Sequence, residues 1–174
     1  MRSDPGSFEA TFDAHWQAVG RYAARRVAPE AVQDVVSETF LVAWRRYDEL
    51  NGDPLPWLLG IARRVAANQR RAMARRRALL ERLRGAATGE RGNDLALGDR
   101  RLAVAWALLS ERDREALMLV VWDGLDHRDA AMVMGCTTNT FTVRVHRARR
   151  RLARLLGRDE KAPVELPQQA ESLT

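Results

Sequence analysis

Wherever apolar residues recur in this chain they do so at steps of three and four, a spacing that gathers them on one face of an α-helix and scatters them on a strand. Phe8, Phe12, Trp16, Val19 and Ala23 follow that rule and predict a helix running to about Val27. Pro29 then opens a second helix whose buried side is Val32, Val35, Val36, Thr39, Phe40, Ala43 and Trp44. The polar stretch Asp48 to Pro54, with Gly52 inside it, breaks the pattern. A third helix starts near Leu55 and turns Trp57, Leu58, Ile61, Ala62, Val65 and Ala66 toward a core. It then loses its apolar stripe among Arg70, Arg71, Arg75, Arg76 and Arg77. Alternating strand patterns are nearly absent, and the one hairpin-like dipeptide, Asn51-Gly52, sits between helical patterns. The fold class expected is therefore all-α.

Gly85, Gly89, Gly92 and Gly98 punctuate a stretch with too few apolar residues for a core, so 85–98 is expected to be a flexible tether. It divides the chain into two small helical domains, 1–84 and 99–156, followed by a disordered tail, 157–174. The second domain opens with Leu102, Val104, Ala105, Trp106 and Leu109 on a short helix. Ser110 with Asp113, and Asp126 with Asp129, both have the form of a helix start, in which a side-chain oxygen accepts an amide of the first turn. Gly124 and Gly135 mark helix ends, and Thr137 can cap the last helix.

At 174 residues the chain can build one ordinary domain or two small ones with thin cores. Its formal net charge of +6 points to a polyanionic partner, because a cationic surface gains from releasing counterions condensed on nucleic acid. Lys161 is the only lysine; this arginine bias fits selection for phosphate forks and equally a GC-rich genome. Cys136 is the only cysteine, which excludes an internal disulfide, and His15, His127 and His146 are too scattered to build a metal cage with it. A reduced, cytoplasmic setting is expected. The sequence shows no apolar leader and no run near the roughly 18 apolar residues of a membrane span, so membrane insertion is not expected. Nor is there a Gly-rich phosphate loop, a metal-ligand set or a nucleophile elbow, so neither an enzyme nor a cofactor is implied.

Leu125 to Leu152 has the layout of a helix-turn-helix: a short helix, a glycine turn, and a longer helix. Ala131 is small where two helices must cross, Gly135 can take the left-handed turn conformation, and Phe141, Val145, Ala148, Leu152 and Leu155 form the buried stripe of the longer helix. At about 100° per residue the opposite face presents Asn139, Val143, His146, Arg147 and Arg150, flanked by Thr142 and Arg149, with Thr138 at the start of the helix. In a major groove, Arg147 could read purine acceptors, Asn139 or His146 adjacent base edges, and Val143 a thymine methyl. Arg149, Arg150, Arg151 and Arg154 have the character of phosphate clamps, although a run of arginines also suits any solvated helix C-terminus.

The stretch LDHRDAAMVMGCTTNTFTVRVHRARRRLARLL resembles region 4 of the extracytoplasmic-function (ECF) sigma factors of RNA polymerase, and DVVSETFLVAW with PWLLGIARRVAANQRR resembles their region 2. The similarity covers about Phe8 to Leu156. It implies a sigma factor that binds core polymerase and directs promoter-specific initiation. By resemblance, Asp34, Ser37, Glu38 and Leu41, which share one face at i, i+3, i+4 and i+7, dock on the clamp helices of the polymerase β′ subunit. Ser37 stands where Gln or Glu is frequent in the family. The loop holding Asn51, Gly52 and Asp53 corresponds to the part that captures an unstacked base of the −10 element, and Arg63, Arg64, Asn68 and Arg71 would hold the same non-template strand. Region 4, through Thr138, Asn139, Thr142, Val143, His146, Arg147 and Arg150, would read −35 duplex and meet the β flap. An anti-sigma factor is a further expected partner. Two other readings stay open from the residues alone: a stand-alone helix-turn-helix regulator, which would bind duplex promoter DNA unaided, and RNA binding by the arginine tracts.

Overall fold

The computed structural model describes residues 5–84 and 97–157, and every regular element among them is helical. The order is α1 (Pro5–Ala24), a 3₁₀ turn (Pro29–Ala31), α2 (Val32–Arg45), a second 3₁₀ turn (Tyr47–Glu49), α3 (Pro54–Arg84), α4 (Leu97–Ala107), α5 (Glu111–Val121), α6 (His127–Met134) and α7 (Thr138–Leu155). Most of the expected tether and the tail beyond Gly157 lie outside the described residues; α4 begins at Leu97, inside the expected tether.

The start signals read from sequence form as expected. Ser110, Asp126 and Thr137 each hold extended backbone and accept the amide of the residue three positions on, at 3.1, 2.8 and 3.2 Å. Each bond satisfies a donor that the helix itself leaves open. Gly135 closes α6 in the left-handed region, with φ of 65°. Gly135→Ala should therefore cost about 1 to 2 kcal/mol, the penalty of a Cβ in that conformation, read as a lower urea midpoint with unchanged slope.

In the first module α1, α2 and α3 enclose Val19, Tyr22, Ala23, Val35, Phe40, Ala43, Leu58, Ala62 and Ala66, as the heptad-like spacing on α2 and α3 predicts. Three expected core residues are exposed, Phe12 at 38%, Trp16 at 46% and Trp44 at 48%, and Phe8, Val32 and Trp57 are half-buried. The buried stripe of α1 instead descends through Thr11, Val19, Tyr22, Ala23 and on to Arg26 beyond its end. The reason is chemical. Thr11 donates to the Ser7 carbonyl at 2.9 Å and bonds the Tyr47 hydroxyl at 2.8 Å, so a polar position can be buried while its aromatic neighbours ride the rim. The aromatics still cluster edge-on, Phe8 with Trp44 at 5.0 Å and Phe12 with Phe40 at 4.6 Å between ring centres.

The second module packs Leu109, Ala116, Leu117, Leu119, Ala130, Ala131, Val133, Phe141, Val145 and Ala148 inside α4 to α7. Leu155, expected in the buried stripe of α7, is 39% exposed at its last turn.

The two cores are continuous. Helix α3 is buried on both sides, against α1 and α2 by one face and against α6 by another. Gly60 lies on the face turned to α6, its Cβ position 3.9 Å from the Val133 Cα, an ordinary contact distance. Two modules with separate cores were the expectation; the structure joins them, with the adjacent residues Leu58 and Leu59 both buried in one continuous cluster.

Candidate nucleic-acid interface

Helix α7 displays the predicted reading face. Thr138, Asn139, Thr142, Val143, His146, Arg147 and Arg150 are all exposed, while Phe141, Val145 and Ala148 on the opposite side are buried. Asn139, Val143 and Arg147 line one shallow groove with Arg144 and Arg151 of the same helix, walled by Asp113 of α5. Two hydroxyl and guanidinium groups are already engaged. The Thr142 Oγ1 bonds His127 Nδ1 at 2.9 Å, and the His127 ring meets Phe141 edge-on at 5.5 Å, which ties the start of α6 to α7. Arg151, expected among the phosphate clamps, donates to the Leu108 carbonyl at 3.3 Å and so also braces α7 against the end of α4.

On α2, Asp34, Ser37, Glu38 and Leu41 are exposed together on one side, with Val35, Val36, Thr39 and Phe40 buried behind them. Thr39 is accommodated in the core by donating its hydroxyl to the Val35 carbonyl at 2.6 Å. The face is acidic with an apolar point at Leu41, which is 44% exposed.

The loop before α3 exposes Asn51, Gly52 and Asp53, and Gly52 has a φ of 96°, which an L side chain rarely adopts. Asp53 has a local task that the sequence reading did not assign: its Oδ1 accepts the Leu55 amide at 2.9 Å and caps α3. Arg63, Arg64, Asn68 and Arg71 are brought together on α3, Arg63 half-buried and the other three exposed. The Arg71 guanidinium donates to the Asn68 side-chain oxygen. These four residues line a groove whose far wall is α5, through Glu111, Arg112 and Glu115.

The group that the sequence reading missed entirely lies behind that groove. Arg26 is 2% exposed at its side chain and is held by two carboxylates of the other module. Its Nε lies 3.1 Å from Glu115, 89 positions away in sequence, and its Nη2 lies 2.7 Å from Asp123, 97 positions away. The Tyr22 hydroxyl donates to Glu115 at 2.8 Å, and the Arg26 guanidinium stacks 3.5 Å over the Tyr22 ring. Burial pushes the Tyr22 hydroxyl well above its ordinary range, keeping it a neutral donor. Burial works against the Arg26 charge, yet Tyr22, Glu115 and Asp123 together overcome it and leave the guanidinium held more firmly protonated than usual. At the other end of the boundary the Asp129 carboxyl is raised, first by burial, then by Asp126 and by Asp53 of the first module. No signal in one sequence pairs Arg26 with Glu115 or Asp123; only Arg26 falling in step with the α1 stripe marks it as buried.

Among the described residues no cluster of three or more His, Cys, Asp or Glu side chains could hold a metal ion, and no helix is long and apolar enough to cross a membrane.

Two family models match the chain in order: Sigma-70 region 2 over residues 11–78 and Sigma-70, region 4 over residues 99–152. The first spans most of α1, all of α2 and most of α3; the second contains the helix-turn-helix. The chain is 31% identical over 170 residues to RNA polymerase sigma factor NccH of Alcaligenes xylosoxydans xylosoxydans, with 89% of each chain covered. It is 32% identical over 154 residues to the ECF RNA polymerase sigma factor SigC of Mycobacterium tuberculosis, covering 82% of this chain and 80% of that one. Among solved structures, the sigma factor RpoE of Bartonella quintana in complex with the anti-sigma factor NepR is similar with a TM-score of 0.63 and 26% identity, over 88% of this chain and 98% of that one. CnrH in complex with the cytosolic domain of CnrY gives a TM-score of 0.62 at 26% identity, over 89% and 90%. With both regions in their proper order along one chain, and relatives above 30% identity aligned over most of their length, the chain belongs to the ECF subfamily of sigma-70-type RNA polymerase sigma factors.

Proposed function

We propose that this sigma factor docks on the β′ clamp helices of core RNA polymerase through Asp34, Ser37, Glu38 and Leu41, reads −35 duplex through α7, and holds the melted −10 non-template strand with Asn51, Gly52, Asp53, Arg63, Arg64, Asn68 and Arg71. The observation that carries the reading is the separation of charge over two exposed helix faces. A carboxylate pair flanking an apolar contact suits a basic helical partner, and a face of Asn, His and Arg around one exposed valine suits the major groove. Region 4 would meet the β flap, for which the exposed Leu102 and Val104 on α4 and Leu108 just after it offer apolar surface. An anti-sigma factor is proposed as the inhibitor, in line with the partners of the two similar solved complexes. All of this activity would take place in the cytoplasm.

The direct test is run-off transcription with purified core polymerase on a genomic fragment library. Start sites that appear only when the protein is added support the proposal; identical initiation in its absence refutes it. On such a template, Arg147→Ala should cost about 1 to 3 kcal/mol of promoter binding and relax preference at one upstream position if the guanidinium contacts a base. Equal loss on every template would reassign it to a phosphate. The double reversal Asp34→Lys with Glu38→Lys should abolish co-elution with core polymerase while leaving the helical circular-dichroism signal intact, and retained co-elution would remove these residues from the docking face.

A further inference from the structure

We infer that the chain's own residues 159–166 dock in the groove between α4 and the end of α7 and cover the aliphatic surface there. That groove is lined by Arg100, Arg101, Val104, Ala105, Leu108 and Leu155. Val104 and Leu108 are each more than half exposed, and Leu155, which belongs to the apolar stripe of α7, is exposed beside them. Three aliphatic side chains thus stand together in water next to two guanidiniums, the surface expected under an apolar segment that also carries negative charge.

The way the chain leaves α7 brings it to this groove. Gly157 closes the helix in the left-handed region, with φ of 66° and its amide donating to the Arg154 carbonyl at 3.1 Å. A residue in that conformation turns the chain off the helix axis. The turn is made against α4: Arg101 donates to the Leu156 carbonyl at 3.1 Å, and the Cβ position of Gly157 stands 3.8 Å from the same guanidinium. Residue 158 therefore starts at the rim of the groove, and the stretch from Gly157 to Val164 can span about 24 Å when extended, ample to cross it.

The sequence of the segment complements the groove. Asp159 and Glu160 come first and are opposite in charge to Arg100 and Arg101. Pro163 and Pro167 bracket Val164, Glu165 and Leu166, and a proline fixes its own φ and favours extended backbone in the residue before it. In extended backbone Val164 and Leu166 share one face, about 7 Å apart, with Glu165 on the other. Val104 and Leu108 offer nearly the same spacing, since the Leu108 amide donates to the Val104 carbonyl at 3.1 Å and residues one such turn apart lie about 6 Å from each other. Two aliphatic side chains of the segment thus meet two of the groove while Glu165 stays in solvent. Resting on the sigma-factor reading, this is the apolar surface proposed for the β flap, so the segment and the flap bind it in competition.

The test places a nitroxide on Glu165→Cys in the full-length, nitrogen-15-labelled chain with Cys136→Ser, and compares amide signals before and after the nitroxide is reduced. The amides of Val104, Leu108 and Leu155 should lose most of their intensity while those of α2 keep theirs. Adding Val164→Ser with Leu166→Ser should restore the lost signals. No selective loss, or a loss that the serine pair leaves unchanged, overturns the inference. The same loss in a mixture of nitroxide-bearing chain without nitrogen-15 and labelled chain without nitroxide would assign the contact to a second copy, and overturns it too. The competition is read separately: the serine pair, and a chain ending at Gly157, should both bind the isolated β flap domain several-fold more tightly than the wild type. Unchanged affinity overturns the competition. Should no form bind the flap, that part of the sigma-factor reading fails, while the nitroxide result still decides whether the segment docks.

Discussion

Arg26 is a guanidinium that water scarcely reaches, and the placement of one half of the molecule on the other depends on how its charge is answered. Removing such a group from water costs several kcal/mol, which is recovered only where ion pairs, hydrogen bonds and a ring face converge on it. All three converge here: Glu115 and Asp123 come from α5 and the turn after it, and Tyr22 comes from one turn earlier on the Arg26 side. A buried ion pair adds little net stability over an apolar contact of the same shape, but its geometry is specific. The apolar surfaces of α3 and α6 could slide past each other; a bidentate clasp with two carboxylates cannot. The network ties Arg26 to two residues, Glu115 and Asp123, at the boundary between the modules.

Helix α3 is the element on which everything else is mounted. Its first half is buried on two sides, contributing Leu58, Ile61, Ala62, Val65 and Ala66 to the core, with Leu59 buried as well and Gly60 against α6. Its second half carries arginines that project from that rigid base. The α3 residues proposed to hold the −10 strand therefore sit where a well-packed helix begins to leave the core, and their positions are held by the packing just before them. Helix α7 follows the same logic in the second module: Phe141, Val145 and Ala148 anchor one side, and the polar face opposite is displayed as a consequence.

Much of the candidate site was legible in the sequence for this reason. A helix has one geometry, so naming the buried stripe of α7 names its exposed face, and all seven residues read that way are exposed. The same holds for Asp34, Ser37, Glu38 and Leu41 on α2. The caps at Ser110, Asp126 and Thr137 and the turn at Gly135 were legible because each is satisfied within four residues of itself. Where the reading of α1 failed, at Phe12 and Trp16, the error came from treating aromatics as better core residues than Thr11 or Arg26. That preference holds only while the polar groups have no partners, and theirs come from Tyr47 and from the other module.

The sequence by itself determined what is set by local periodicity and local capping: the seven α-helices of the described residues, the helix-turn-helix, an acidic face on the second helix and a cationic one on the last. Only the tertiary structure decided that the two modules share a continuous core, that Asp53 serves α3 as a cap, and that the arginines of α3 face the carboxylates of α5. The physical reason is range. A hydrogen bond inside a helical turn is specified by neighbours three or four residues away, whereas the partners of Arg26 lie 89 and 97 positions along the chain and meet it only once both modules have folded.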